Sequence, residues 1–405
     1  MFDPLKVLCS ATLALIGAGC ADGGSEGADS TPAALATYTL SAPLVSIGST
    51  DGEEPYLLDG VADAVVRQDG SLAVLNCGSA EIRVYDTDGR YLRTFGGRGE
   101  GPGEFMFPGR MFALGGDTMA VTDFFPGRLT VLGPEGDAVA TSPSAGPGGA
   151  PQVRGRLANG LFVATRREPA PEVEAGAPFR ETMSLLLVTL EGEVVDSVTG
   201  LPARAAVAPP EPRSPTRAQR MGGRAVFAVA PDAVYYGGQD GRGITRFAAD
   251  LSTTESIETF STGGALTQDH IDAHERMREA REHLPEDGIG PSTAAVYPDE
   301  LPAFGAIAVG RDGRLWVEDP ERPGVQALTW TAYEDGVPTA RLELPPRFFA
   351  LDFDATSVLG IHYDELSVER VQVRAMVEGP LPGVSLPPRD AQPPASPRCG
   401  AYGSR

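Results

Sequence analysis

Between Val61 and Phe105 the apolar residues come in runs of four to six, too short for helices and broken at regular intervals by turn residues. Ala62, Ala64 and Val66 alternate with polar or outward positions, then Asp69-Gly70 turns the chain into Leu72-Ala73-Val74-Leu75. A Gly78-Ser79 break leads to Ile82-Arg83-Val84-Tyr85, and the turn Asp86-Thr87-Asp88-Gly89 leads to Tyr91-Leu92-Arg93-Thr94-Phe95. Short runs joined by Asp-Gly turns predict four antiparallel strands in hairpin succession.

The same unit recurs in weaker form. Turn residues followed by an apolar triplet reappear at Met119, Leu161, Val234, Leu315 and Val358, matching Leu72 in the first copy. A partner strand follows each, at Ile82 to Tyr85, Leu129 to Leu132, Leu185 to Leu190, Ile244 to Phe247, Val325 to Trp330 and Val368 to Val373. The six anchors are separated by 47, 42, 73, 81 and 43 residues, and the three shorter gaps are the length of a four-stranded propeller blade. The two long gaps hold insertions. One contains Glu168 to Pro178 and the Pro-rich Pro202 to Gly223, expected to be irregular, and the other a helical pattern.

That helix is expected from Thr267 to Leu284, within an insertion at about 266–285, with Thr267 as N-cap and Ile271, Met277, Ala280 and Leu284 as a narrow apolar stripe. Asp272 with Arg276 and Arg278 with Glu282 are spaced for ion pairs across one turn. The sixth unit lacks an outer strand, and a bare sheet edge is a liability. The spare strand Ala36 to Ile47 is therefore expected to complete it and close a six-membered ring. The fold class predicted is all-β, a six-bladed β-propeller over residues 36–380, with 381–405 a disordered Pro-rich tail.

Composition agrees with many short strands. The chain of 405 residues carries 50 Gly and 36 Pro, while 41% hydrophobic content suffices for a core. Residues 1–20 have Lys6 ahead of an apolar run, Val7 to Ile16, too short to span a bilayer. They end in Gly17-Ala18-Gly19-Cys20, and residues 21–35 form a polar tether. A net charge of −22 leaves no general field for nucleic acid and opposes self-association, so no nucleic-acid partner and a monomer are expected. Of four cysteines, Cys77 and Cys399 would remain in an exported, processed chain, either as two thiols or as one disulfide.

Small residues before a cysteine resemble the signal of bacterial lipoproteins, which implies acylation of Cys20 and a membrane anchor through its lipid. The string Arg83-Val84-Tyr85-Asp86, followed by Gly89 to Phe105 and Phe107-Pro108-Gly109, looks like the junction of an NHL repeat. Leu344-Pro345-Pro346, Val358-Leu359-Gly360 and Asp364-Glu365-Leu366 are similar to the last part of exported six-bladed propeller lipoproteins of bacteria. Those resemblances imply a fold and an address rather than an activity.

No catalytic motif stands out. His270 and His274 are spaced like two metal ligands on one helix face, but the string is His-Ile-Asp-Ala-His, and His283 falls on the far half of the helix from His274. Gly96 to Gly103 opens no helix, so it reads as a connector rather than a phosphate cradle. His362 lies in a strand without a nucleophile elbow and is expected to be structural. Propeller lactonases and lyases hold a metal through acids or histidines in their channel. The innermost strands expected here, starting near Asp63, Arg110, Val153, Arg224, Phe304 and Arg347, offer Asp63 alone, and no metal or cofactor is assigned.

What recurs instead is arginine. Arg110, Arg154, Arg224 and Arg347 sit near the starts of these strands, and guanidiniums converging on one channel mouth would suit a carboxylate or sulfate. The competing expectation pairs each with a nearby acid such as Glu104 or Asp63. The function expected is a membrane-anchored binding or scaffold protein taking an anionic small molecule or a protein partner. The alternative is a propeller hydrolase or lyase acting on a lactone or sugar acid.

Overall fold

The computed structural model describes residues 35–124, 127–143, 151–209, 216–239, 241, 243–252, 254–259, 261, 263–279, 296–320 and 328–379. Its first strand, β1 (Ala36–Ile47), stands apart in sequence from the sheet it joins. The next four, β2 (Val61–Val66), β3 (Leu72–Asn76), β4 (Glu81–Tyr85) and β5 (Tyr91–Gly96), form one antiparallel sheet in chain order. A second sheet follows from β6 (Pro108–Gly115), β7 (Thr118–Asp123), β8 (Arg128–Leu132) and β9 (Ala138–Pro143). A third has five strands, β10 (Gln152–Arg156), β11 (Phe162–Arg167), the long pair β12 (Pro178–Val188) and β13 (Val194–Val207), and the short β14 (Arg217–Ala218). A fourth comprises β15 (Val226–Val229), β16 (Ala233–Gly237), β17 (Gly243–Ala248) and β18 (Thr254–Glu258), after which comes α1 (Gln268–Glu279).

The remaining strands are β19 (Ile307–Val309), β20 (Leu315–Glu318), β21 (Leu328–Glu334), β22 (Val337–Leu344), β23 (Phe348–Phe353), β24 (Ser357–Tyr363) and β25 (Glu369–Glu378). They make one eight-stranded sheet in the order β19-β20-β21-β22-β1-β25-β24-β23. Within it β1 runs antiparallel to β25, from Tyr38 opposite Glu378 to Ile47 opposite Val371, and parallel to β22, from Ala36 opposite Ala340 to Thr39 opposite Glu343. The expected pairing joined β1 to the last sheet only. In the fold, its first residues also satisfy the edge of β22, so one strand stitches two four-strand runs together.

The first strands of the four smaller sheets and the two edge strands of the eight-stranded sheet touch in succession. β2 touches β6, β6 touches β10, β10 touches β15, β15 touches β19, β19 touches β23 and β23 touches β2. The core is correspondingly divided into hydrophobic wedges between neighbouring sheets and between the two halves of the eight-stranded one. Phe95, Phe105, Met111 and Leu132 fill one, and Trp316, Trp330, Phe348 and Phe353 another, where Trp316 stacks on Phe353 with centroids 4.8 Å apart. Ile47, Val61, Tyr85, Leu359 and Val371 fill a third, which joins strands from near the two ends of the described residues. Each buried aliphatic or aromatic side chain in such a wedge contributes roughly 1.5–3 kcal/mol.

The glycine-rich stretch is a connector. Arg128 gathers it by donating to the carbonyls of Gly99, Glu100 and Glu104, while Gly99 N–H donates to Phe105 O. Gly136, at φ +85°, turns the chain directly under the Phe95 ring of the preceding sheet, where a Cβ would lie 2.1 Å from Cδ1. Only glycine fits both demands.

Two boundaries differ from the sequence expectation. β13 runs through Pro202 to Val207, where an irregular insertion was expected. The register shifts at Pro202, and among the described residues the strand's outer side is bonded further on, at Ala205 to Gln219 and Gly223 and at Ala206 and Val207 to β14, so Pro202 has the edge setting in which proline is tolerated. The partner strand expected over Val325 to Trp330 is described as β21, Leu328–Glu334, which runs on past Trp330, while Val325 lies outside the described residues. The helix is described over Gln268–Glu279, and the rest of the expected segment to Leu284 lies outside the described residues, as do Cys20, Cys399, the expected tether and the expected tail.

Candidate functional site

The first strands of the sheets are positioned by a polar clasp that recurs. A side chain at or just beyond the end of the second strand accepts the backbone N–H of the segment leading into the first. Asn76 takes Asp59 N–H at 2.8 Å, Asp123 takes Met106 and Phe107 N–H at 2.8 and 2.7 Å, Gln239 takes Arg224 N–H at 2.8 Å, and Glu318 takes Ala306 N–H at 3.0 Å. Gln239 also donates to Phe304 O and Gly305 O, binding the fourth sheet to the fifth run. Asn76, Asp123 and Gln239 are buried. With the strand starts held, the side chains carried on them acquire defined neighbours.

Arg154, the third residue of β10, is partly buried and tightly held. Its Nε donates to Thr165 Oγ1 at 3.1 Å, its Nη2 donates to Gln152 Oε1 at 2.9 Å, and its guanidinium lies over the Phe227 ring of β15, 5.6 Å from the centroid. Arg110, the third residue of the adjacent strand β6, is exposed, and its backbone N–H donates to Thr122 Oγ1. Burial pushes the Arg154 pKa down to about 10, and the charge of Arg110 beside it pushes in the same direction, which leaves Arg154 a cation at neutral pH. Among the described residues neither guanidinium has a carboxylate partner.

The acids expected to neutralise them are occupied by backbone. Asp63 Oδ2 accepts Met111 N–H at 3.1 Å and its Oδ1 accepts Ala64 N–H, while Glu104 Oε2 accepts Gly101 N–H. The other two arginines are not drawn into this pair. Arg224 lies two residues ahead of β15 rather than within it, exposed, with its backbone N–H on Gln239. Arg347 precedes β23 in a left-handed conformation, φ +60°, and its Nη1 donates to Asp364 O at 2.6 Å across the β24–β25 turn. Arg110 and Arg154 thus lie inside their strands while Arg224 and Arg347 lie just ahead of theirs, and the four have different surroundings.

Three partners of Arg154 escaped the sequence reading. Gln152 shares its strand face, a spacing visible in principle, and Thr165 stands opposite Gln152 in the β10–β11 register, which needs the pairing to be known. Phe227 comes from another sheet, and nothing local announces it.

The histidines are placed separately. Thr267 Oγ1 accepts the His270 N–H at 3.4 Å, and the His270 ring Nδ1 lies 3.1 Å from the same hydroxyl. His274 meets the edge of Tyr297, and Glu275 takes an ion pair from Arg220 at 2.7 Å together with the Tyr297 hydroxyl, fastening α1 to the body. Gln268 rather than Arg276 is the described partner of Asp272, at 2.7 Å. His362 is half buried, and burial and the nearby Arg374 lower its pKa. Among the described residues no group of three or more His, Cys, Asp or Glu is placed to hold a metal ion, and no helix is long and apolar enough to cross a membrane. Cys77 is buried and disulfide-bonded; the sequence's other cysteines, Cys9, Cys20 and Cys399, lie outside the described residues.

No protein-family model matches the chain, and no curated protein matches it. Solved structures do. A member of the DUF4221 family from Bacteroides vulgatus aligns at 10% identity over 85% of this chain and 99% of that one, with a TM-score of 0.53. A protein from Bacteroides fragilis assigned as exported aligns at 8% identity over 86% of this chain and 100% of that one, with a TM-score of 0.50. A virginiamycin B lyase from Staphylococcus aureus also aligns, at 11% identity over 84% of this chain and 99% of that one, with a TM-score of 0.42. At such identities the likeness concerns the fold, which is a β-propeller type of all-β architecture.

Proposed function

We propose that this chain is an exported six-bladed β-propeller, closed by Ala36–Ile47, that binds an anionic small molecule at Arg110 and Arg154. The blade count is supported by the ring of contacts among β2, β6, β10, β15, β19 and β23 and by a hydrophobic wedge at each junction. Export is supported by the assignment of the Bacteroides fragilis protein, by the apolar N-terminal run, and by the disulfide at Cys77, since such bonds persist in oxidising compartments. An anchor through a lipid on Cys20 belongs to the same proposal and rests on the residues before that cysteine. Loss of labelled palmitate incorporation in Cys20→Ser is the expected result, and undiminished labelling would remove the anchor.

The observation that carries the binding role is the guanidinium pair itself. In a chain of net charge −22, acids are abundant, yet two adjacent arginines on the innermost strands have no carboxylate partner among the described residues. Keeping a partly buried guanidinium without a counter-ion is costly unless something else supplies the charge. Arg154 is also oriented in advance by Thr165, Gln152 and Phe227, so little side-chain freedom is lost when an anion arrives. Calorimetric titration with sulfate should show binding that the double variant Arg110→Ala, Arg154→Ala loses by about a hundredfold, roughly tenfold per guanidinium. Equal affinity in both proteins would overturn the proposal.

A further inference from the structure

The charge of the ligand follows from the way the two arginines are held. The Arg154 guanidinium spends its Nε and one Nη2 proton on Thr165 and Gln152, leaving the Nη1 donors without a described acceptor. One planar fork edge therefore stays open, enough for one oxyanion group. Arg110 has no described side-chain acceptor, is exposed, and is free to swing its own fork towards the same ligand. The two strands that carry them touch, and each arginine is the third residue of its strand.

Two like charges brought together raise each other's cost, and a single negative charge between them neutralises only one. A ligand with two negative charges meets both, and the second guanidinium then adds affinity where for a monoanion it would remain an uncompensated neighbour. We propose that the ligand of the Arg110–Arg154 pair is a compact dianion, a dicarboxylate or a sulfate- or phosphate-type oxyanion, with Arg154 as the fixed element and Arg110 as the mobile one. This rests on the anion-binding function above and narrows it by charge. The ring of Phe227 under Arg154 makes Phe227 a positioning residue for the fixed guanidinium.

The experiment compares acetate, succinate and sulfate by calorimetry at low ionic strength, using the processed full chain and its Arg110→Ala and Arg110→Lys variants. In the unmodified protein, succinate or sulfate should bind at least about tenfold more tightly than acetate. Arg110→Ala should bring the dianions to within about threefold of acetate, while Arg110→Lys, which keeps the charge, should retain most of the preference. Arg110 is exposed, so a melting curve is expected to show the variants folded. If succinate alone gains, the ligand is a dicarboxylate. If sulfate alone gains, it is a tetrahedral oxyanion. Acetate binding as tightly as both dianions would overturn the dianion proposal while leaving the anion site standing, and a dianion preference unchanged in Arg110→Ala would overturn the role given to Arg110. If none of the three anions binds, this proposal and the binding function fall together.

Discussion

Asp123 illustrates what a single buried residue does in this fold. Its carboxylate is almost wholly removed from solvent, accepts the N–H groups of Met106 and Phe107, and lies 3.5 Å from Arg128, which in turn holds the glycine-rich connector. Replacing it by alanine orphans two backbone donors and removes the counter-charge of a largely buried guanidinium. Asp123→Ala is expected to cost about 2–4 kcal/mol, read as a lower denaturant midpoint. A loss below about 0.5 kcal/mol would mean that the connector is held by its backbone bonds alone.

Asp352 makes a pH-dependent contribution of defined sign. It lies on β23, 2.7 Å from Arg311, which also reaches Asp354 at 3.2 Å. Burial pushes its carboxyl up to about 6, and the attraction of Arg311 offsets only part of that. Because the folded value exceeds the usual 3.8, the folded state binds the proton more tightly. The contribution is present in full below pH about 4 and is lost as pH rises through about 6. The stability difference between the unmodified protein and Asp352→Asn should therefore change between those pH values and be flat above about pH 7. A flat difference from pH 3 to 8 would contradict it.

At the scale of elements, β1 is the part whose role is least local. Its apolar residues are unevenly used. Ile47 is fully buried among Val61, Val74, Tyr85, Leu359 and Val371, whereas Leu44 on the same strand is 65% exposed. Ile47→Ala should lower stability by about 2–5 kcal/mol, because it empties the wedge where the last-sheet strands meet the first sheet. Leu44→Ala should change it by less than about 0.5 kcal/mol. Comparable losses in the two variants, by chemical denaturation, would show that β1 contributes through its backbone rather than through that wedge. The helix α1 is a smaller case of the same division. Its N-cap at Thr267 is set by local chemistry, but its seat is set by Glu275 meeting Arg220 and Tyr297 from elsewhere in the chain.

For the whole molecule, the strand units were readable because their causes are local. Alternation over four to six residues and Asp-Gly turns act within a hairpin, so β3 with β4, or β7 with β8, could be placed from the residues they contain. The outer limits were less readable. β13 passes through a proline because it lies at a sheet edge, a fact about its neighbours rather than its own residues. The clasps at Asn76, Asp123, Gln239 and Glu318 fall three to five residues after the anchors at Leu72, Met119, Val234 and Leu315. They passed unnoticed because four different side chains perform one task.

The amino-acid sequence by itself determined that this protein is built from repeated short antiparallel strands, that its surface is acidic, and that arginine rather than a metal-ligand set recurs near the strand starts. Only the tertiary structure decided that β1 pairs with both β22 and β25, and that Arg110 and Arg154 become neighbours while Arg347 turns to Asp364 O. The reason is one of range. Hairpins form from contacts a few residues apart, whereas the gap between two sheets is filled by side chains dozens to hundreds of residues apart, whose meeting depends on the backbone entry of every strand between them.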